Sequence, residues 1–511
     1  MRGYLKFRIK RGNTMRYLNT LLLSALMLFG TTACVVQKSP VTGTKRAYAY
    51  SWQQEIQIGK EVDQEIISMY GLYDDPEIAA YVEELGQMIL ANSDMRRPDQ
   101  ERMFRETEFY FRVLDSPVIN AFALPGGYNY VTRGLLAHMN NEAQLAVVIG
   151  HEIGHVAARH ASQRALQQTF GQVAVIGGAI IGQEVFGLPG QSILDLSGTA
   201  AQLFFLKHSR DHERESDKLG VEYAAKTGFA AEEGAAFFTS LKRLSESRGQ
   251  AIPSLLSTHP DPGEREKKIP EMAQEWRNKG FEQTIRNTDQ YNRMINNIIY
   301  GENPREGFVE NGVFYHPDLR FKFSVPQQWQ LINQRSQVIL VNSEQDAVSI
   351  LRLDGQSATP QASVREVTNS EGFTVLNEGF AQRSDGLTAY YGTAAVKAQD
   401  GTDLTIFVYS LSFNENIYRF ISYTVTDKYA QFDPVFKSIT DSFGSVTDQR
   451  ILNIKPVRLQ SIKVERETAF RDLMPAQLPM GITLDEMAIV NQVQTGDRIP
   501  AGRWVKIPIQ Q

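Results

Sequence analysis

The stretch His151-Glu152-Ile153-Gly154-His155 decides how this chain is read, because two histidines four positions apart on a helix project from one face. Their imidazoles can bind one Zn²⁺ at about 2.0–2.1 Å, and Glu152, one residue past the first histidine, can reach a water on the metal without being a ligand. The surroundings predict the helix that this requires. Asn141 can cap it, Gln144 completes a capping-box pattern, and the sequence continues it to about Gln167. A five-residue string of this kind also arises by chance, so the remaining ligand has to be found.

Cys34 is the single cysteine, which leaves His, Asp or Glu for that role. The best candidate lies in Arg210-Asp211-His212-Glu213-Arg214-Glu215-Ser216-Asp217, a charged helical stretch whose bland reading is a solvated helix face. Glu213 and Asp217 are four apart and face the same way. Glu213 would bind the zinc, giving a gluzincin-type site, while Asp217 would accept the second ring N–H of a histidine ligand. His212 is the second choice. Glu215, two residues beyond Glu213, should point about 200° away, and His160, five beyond His155, should also leave the ligand face for a structural role. His259 precedes Pro260, which forces it off helical geometry onto a turn or loop. There it either packs at the start of the next helix or reaches the open zinc position as a fourth ligand or latch.

Composition sets the frame for this site. With 511 residues, 42% hydrophobic and 22% charged, the chain needs two or three domains. A net charge of -5 excludes the basic footprint of a nucleic-acid binder. The apolar run Leu21 to Phe29 follows Arg16 and is too short to span a bilayer. Residues 1–34 therefore look like a bacterial lipoprotein signal ending at a lipidated Cys34, although Thr31 departs from the usual leucine and Met15 is an alternative start.

Residues 35–300 are expected to form a mainly helical metallopeptidase domain with a small β-sheet. Two amphipathic helices should fill Ser51 to Asn92, followed by strands Glu108 to Leu114 and Asn120 to Leu124. The apolar segment Gly171 to Gly182 reads as a buried helix over the site. Linker composition at Gly301 to Gly307 precedes an α+β domain, 307–445, with a hairpin around Asn414-Glu415-Asn416 and a helix capped by Asp433 with Pro434 in its first turn. Residues 453–511 resemble a divergent LysM module of β-α-α-β order that lacks the Gly-Asp-Thr-Leu signature.

From about Ser51 to Glu271 the sequence resembles peptidase family M48, the relatives of HtpX and of the CAAX prenyl protease, in its periplasmic branch. The resemblance rests on Asn120 to Gly127, on His151 to His155, on Glu213 with Asp217, and on Ser257-Thr258-His259-Pro260; Ser216 stands where the family usually has alanine. It implies a zinc endopeptidase holding one Zn²⁺ per chain and working on polypeptides in protein quality control in the bacterial periplasm. Val35 after the cysteine favours the outer membrane. Asn120, Ala121, Phe122 and Ala123 would form an edge strand on which an extended substrate pairs. Two other readings compete: a chaperone-like envelope assembly factor with latent proteolysis, and a cell-wall zinc hydrolase whose C-terminal module contacts peptidoglycan or an envelope protein.

Overall fold

The computed structural model describes residues 34–174, 209–247, 255, 259, 262–398 and 401–510. Of the helix expected over Gly171 to Gly182, only the first four residues lie among them, as the end of helix His160–Ala174. Among the described residues no helix is long and apolar enough to cross a membrane.

A hairpin of Val35–Lys38 with Lys45–Tyr48 opens the chain. Helix Trp52–Tyr70 follows behind a capping box at Ser51, and helix Pro76–Ala91 behind Asp75, whose carboxylate takes two free amides while Pro76 fits the first turn. In the small sheet, Tyr128–Thr132 lies between Tyr110–Leu114, which runs parallel to it, and Ala121–Leu124, which runs antiparallel. Ala121–Leu124 is therefore an edge of this sheet.

The helix carrying the histidines, Glu142–Ala158, is buried at every residue, so its apolar character all round marks it as the central helix of the domain. Asn141 caps it by accepting from the Gln144 amide. The sequence predicts continuation to Gln167, but Arg159 takes left-handed geometry (φ 61°, ψ 39°) and ends the helix, and a second helix, His160–Ala174, starts directly after it. The cause is distant in sequence. The buried guanidinium of Arg159 bonds Glu55, Gln37 and the Tyr50 carbonyl and lies 3.7 Å from the Tyr48 ring centre, and together these hold a conformation that a non-glycine residue rarely adopts. Removing Glu55 would strand that buried charge, at a cost of about 3–5 kcal/mol.

Helix Arg210–Lys226 crosses the central helix at two glycines. A Cβ on Gly150 would meet the Gly220 carbonyl at 2.9 Å, and one on Gly220 would meet the His151 amide nitrogen at 2.8 Å. Only hydrogen side chains allow this approach, which brings the carboxylates of the second helix up to the histidines of the first.

Between Phe314 and Phe443 the buried apolar residues join different clusters, built on a seven-stranded antiparallel sheet and a four-stranded one. Strands Asp403–Phe413 and Asn416–Val425 form the hairpin, turning through Asn414 and Glu415, both with positive φ. The expected helix starts earlier than the sequence suggests, at Tyr429, and Pro434 lies inside it. A 3₁₀ turn, Thr426–Lys428, leads the chain directly into the helix, so Asp433 bonds the Tyr429 hydroxyl instead of capping.

The C-terminal strands Arg458–Lys463 and Trp504–Ile509 pair antiparallel, with helices Phe470–Leu473 and Leu484–Val490 between them. Arg458–Lys463 also pairs with Ile298–Ile299, and its apolar neighbours belong to the same core as the central helix. Lys506, fully buried, donates to the carbonyls of Ala137 (2.7 Å) and Met139 (2.8 Å), just upstream of Asn141. Gln492 bonds Gln144 in the first turn of the central helix.

Candidate metal centre

Donor atoms of His151, His155, Glu213 and His259 all lie within 4.8 Å of one another, and all four residues are buried. Nε2 of His155 is 2.9 Å from Nε2 of His151, which is 3.3 Å from Nδ1 of His259. Glu213 Oε1 is 3.4 Å from His155 Nε2 and 3.1 Å from His259 Nδ1. A tetrahedral ion with bonds of about 2.0–2.1 Å needs donors about 3.3 Å apart, so three imidazoles and a carboxylate at these spacings fit a zinc-sized cation.

Glu152 is not part of this ring of donors. Its Oε1 is buried, has no hydrogen-bond partner among the described residues and lies 3.8 Å from His259 Nε2. Burial raises its pKa against the opposing pull of His259 and His151, which suits a group that must take up and release a proton. Glu213 is also pushed upward by burial, but His259 and the hydrogen bonds from His155 and His259 outweigh that and hold it well below the ordinary carboxylate range. Burial lowers His155 strongly, keeping the neutral imidazole that a ligand requires.

The outer groups are equally defined. Asp217 Oδ1 lies 2.9 Å from His151 Nδ1. His160, expected to face away, instead sits behind His155, its Nδ1 3.0 Å from His155 Nδ1 and its Nε2 3.1 Å from Glu215 Oε2. The break at Arg159 swings it there, a turn that helical periodicity could not foresee. Glu215 is thereby linked to the histidines that it was expected to avoid. His212 does not join the donors; it stacks on His160 with ring centres 4.1 Å apart. Arg265, which sequence reasoning missed, bonds both Glu213 and Asp217. A need for charge balance among the carboxylates Glu152, Glu213 and Asp217 was the one signal that could have suggested it.

The site is closed. Beside Glu152 remains a cavity of about 10 Å³, lined in part by Val147, Phe238, Leu255 and His259, the size of a single water. Leu255 donates its amide to the carbonyl of Ile119, two residues before the edge strand, and the His259 amide donates to the Leu255 carbonyl. Of the expected substrate strand, Ala121–Leu124 is extended, whereas Asn120 just precedes it and receives the Thr132 amide on its carbonyl. Cys34 is exposed ahead of the first hairpin, far in sequence from the site.

Residues 76–273 match the profile of Peptidase family M48. Similar curated proteins include the beta-barrel assembly-enhancing protease of Yersinia pestis, 28% identical over 259 residues that make up 48% of this chain and 51% of the relative. The mitochondrial metalloendopeptidase OMA1 of Arabidopsis thaliana is 34% identical over 156 residues, 30% of each chain. Its human counterpart is 27% identical over 252 residues, 45% of this chain and 44% of the other. The chain thus spans about half or less of the curated relatives it matches. Among solved structures, cyanobacterial PsbP from Synechocystis aligns with 26% of this chain and 91% of its own, at 14% identity and a TM-score of 0.23.

Proposed function

We propose, from the premise that residues 76–273 are a peptidase family M48 domain, that this chain is a zinc-dependent endopeptidase acting on polypeptides of the bacterial envelope. The observation that carries the reading is the convergence of His151, His155 and Glu213 on one point, with the buried carboxylate of Glu152 beside it. Zinc held there supplies Lewis acidity, polarising a scissile carbonyl and lowering the pKa of water. Glu152 takes the proton from the attacking water and delivers it to the leaving amine, and Asp217 holds His151 in the tautomer that presents Nε2. The edge strand Ala121–Leu124 offers main-chain groups to an extended substrate, a mode of binding that tolerates many sequences.

A latent form of this enzyme is favoured by one further observation. His259 brings a fourth donor into the cluster, so among the described residues four side chains already supply a tetrahedral donor set. A factor that assists envelope proteins and cleaves only when His259 withdraws would have that arrangement. The relatives named for β-barrel assembly accord with such a role. Residues 35–300 together with 453–511 are read as one peptidase unit and 307–445 as an accessory domain. Any contact of the LysM-like segment with peptidoglycan or envelope proteins would use the face turned away from the peptidase core. A lipid anchor at Cys34 would place the enzyme at the outer membrane, facing the periplasm.

The deciding experiment measures zinc content and cleavage of a loosely folded outer-membrane protein by the wild type and by Glu152→Gln. One zinc per chain in both, with cleavage in the first alone, supports the reading. A wild type that binds zinc and protects the substrate without cutting it, even after His259→Ala, would favour a pure holdase.

A further inference from the structure

Glu152 and Glu213 are buried beside the imidazoles and the Asp217 side chain is 12% exposed, and anions taken out of water need compensation. A fixed cation lies among them. Arg265, on helix Pro262–Asn278, is 3% exposed and spends every arm of its guanidinium: NH2 bonds Glu213 Oε2, Nε bonds Asp217 Oδ2 at 2.8 Å, and NH1 donates to the His259 carbonyl at 3.2 Å. Its head lies 5.0 Å from the centre of the Phe238 ring. Glu213 and Asp217 are one turn apart on the same helix, so a planar fork can span them where a single ammonium cannot.

We infer that Arg265 is a positioning residue of the metal centre: it fixes Glu213 as a ligand and Asp217 as the orienting partner of His151, and it ties the His259 backbone to both. The inference rests on the reading that His151, His155 and Glu213 hold zinc. Three elements meet at this one side chain. The helix Arg210–Lys226 supplies the two carboxylates, the His259 segment supplies a carbonyl, and Arg265 itself comes from the helix that begins just after that segment. Without the fork, Glu213 would be free to turn its Oε2 away from the imidazoles, and Asp217 would lose the partner that holds its second oxygen.

The test is zinc affinity of the full mature chain, measured by chelator competition, together with the visible absorption of the Co²⁺-substituted protein. It compares the wild type with Arg265→Lys, Arg265→Gln, Asp217→Asn and the Arg265→Lys/Asp217→Asn double variant. Folded Arg265→Lys is expected to bind zinc about 10–100-fold more weakly, with altered Co²⁺ bands, as loss of an outer partner does elsewhere. The double variant should lose less than the product of the two single effects, because both remove the same bridge. Wild-type affinity and spectrum in folded Arg265→Lys or Arg265→Gln would overturn the inference, as would fully multiplicative losses. If neither arginine variant folds, Asp217→Asn carries the test, and unchanged affinity there overturns it. Failure of the wild type to bind zinc would instead sink the reading underneath.

Discussion

His160 Nδ1 lies 3.0 Å from His155 Nδ1, although the two residues are five apart and would face away from each other on an unbroken helix. Left-handed Arg159 between them makes the contact, and Glu215 extends it on the far side of His160.

From this follows a graded expectation for metal binding. Glu213→Ala should abolish stoichiometric zinc, since it removes a ligand. Glu215→Ala should retain zinc but bind it roughly tenfold more weakly, because only the support behind His155 is lost. Chelator titration of both proteins checks this, and wild-type affinity in Glu215→Ala would show that the chain through His160 does nothing for the metal.

Glu152→Gln should keep its zinc and its melting temperature while turnover falls by about 10²–10⁴, the usual worth of a general base. Single-turnover cleavage of a labelled unfolded substrate measures it. Near-normal rates in a metal-replete sample would take Glu152 out of the chemistry.

His259→Ala should retain one zinc, because three donors remain, and should raise basal proteolysis by opening the coordination position. Peptidase assays and metal analysis on the same preparation decide it. Activity and stability falling together would mean that His259 merely packs.

Cys34→Ser should move the protein from the membrane to the soluble fraction without changing its melting temperature, since Cys34 is exposed and lies outside every hydrophobic cluster. Mass spectrometry of the mature amino terminus gives the independent check. An unmodified cysteine there, or a different mature start, would remove the anchor.

The parts of this molecule that could be read from sequence are those whose causes are local. Asn141 announces the central helix because a cap acts on amides two or three residues away, and His151 with His155 share a face because four residues make about one turn. The hairpin at Asn414-Glu415 is equally local. What was not legible depends on partners far along the chain. Arg159 is held in its strained conformation by Glu55, 104 residues earlier, so the break and the position of His160 have no signature in their own neighbourhood. Arg265 looks like any surface arginine of a charged helix until the fold sets it against Glu213, 52 residues away. Gly150 and Gly220 are similar: each is an ordinary helical glycine until the other is placed opposite.

The contact of Lys506 with Met139 spans 367 residues, and the end of the chain closes the core that surrounds the central helix. Synthesis runs from the amino terminus, so the histidines and carboxylates emerge long before the strand that secures the approach to Asn141. Such a late, long-range closure is slow to form, because its loop entropy must be met before its contacts reward it. Strand Trp504–Ile509 thus helps to hold the first turn of the central helix in place, and losing it would loosen that turn before it reached the histidines farther along.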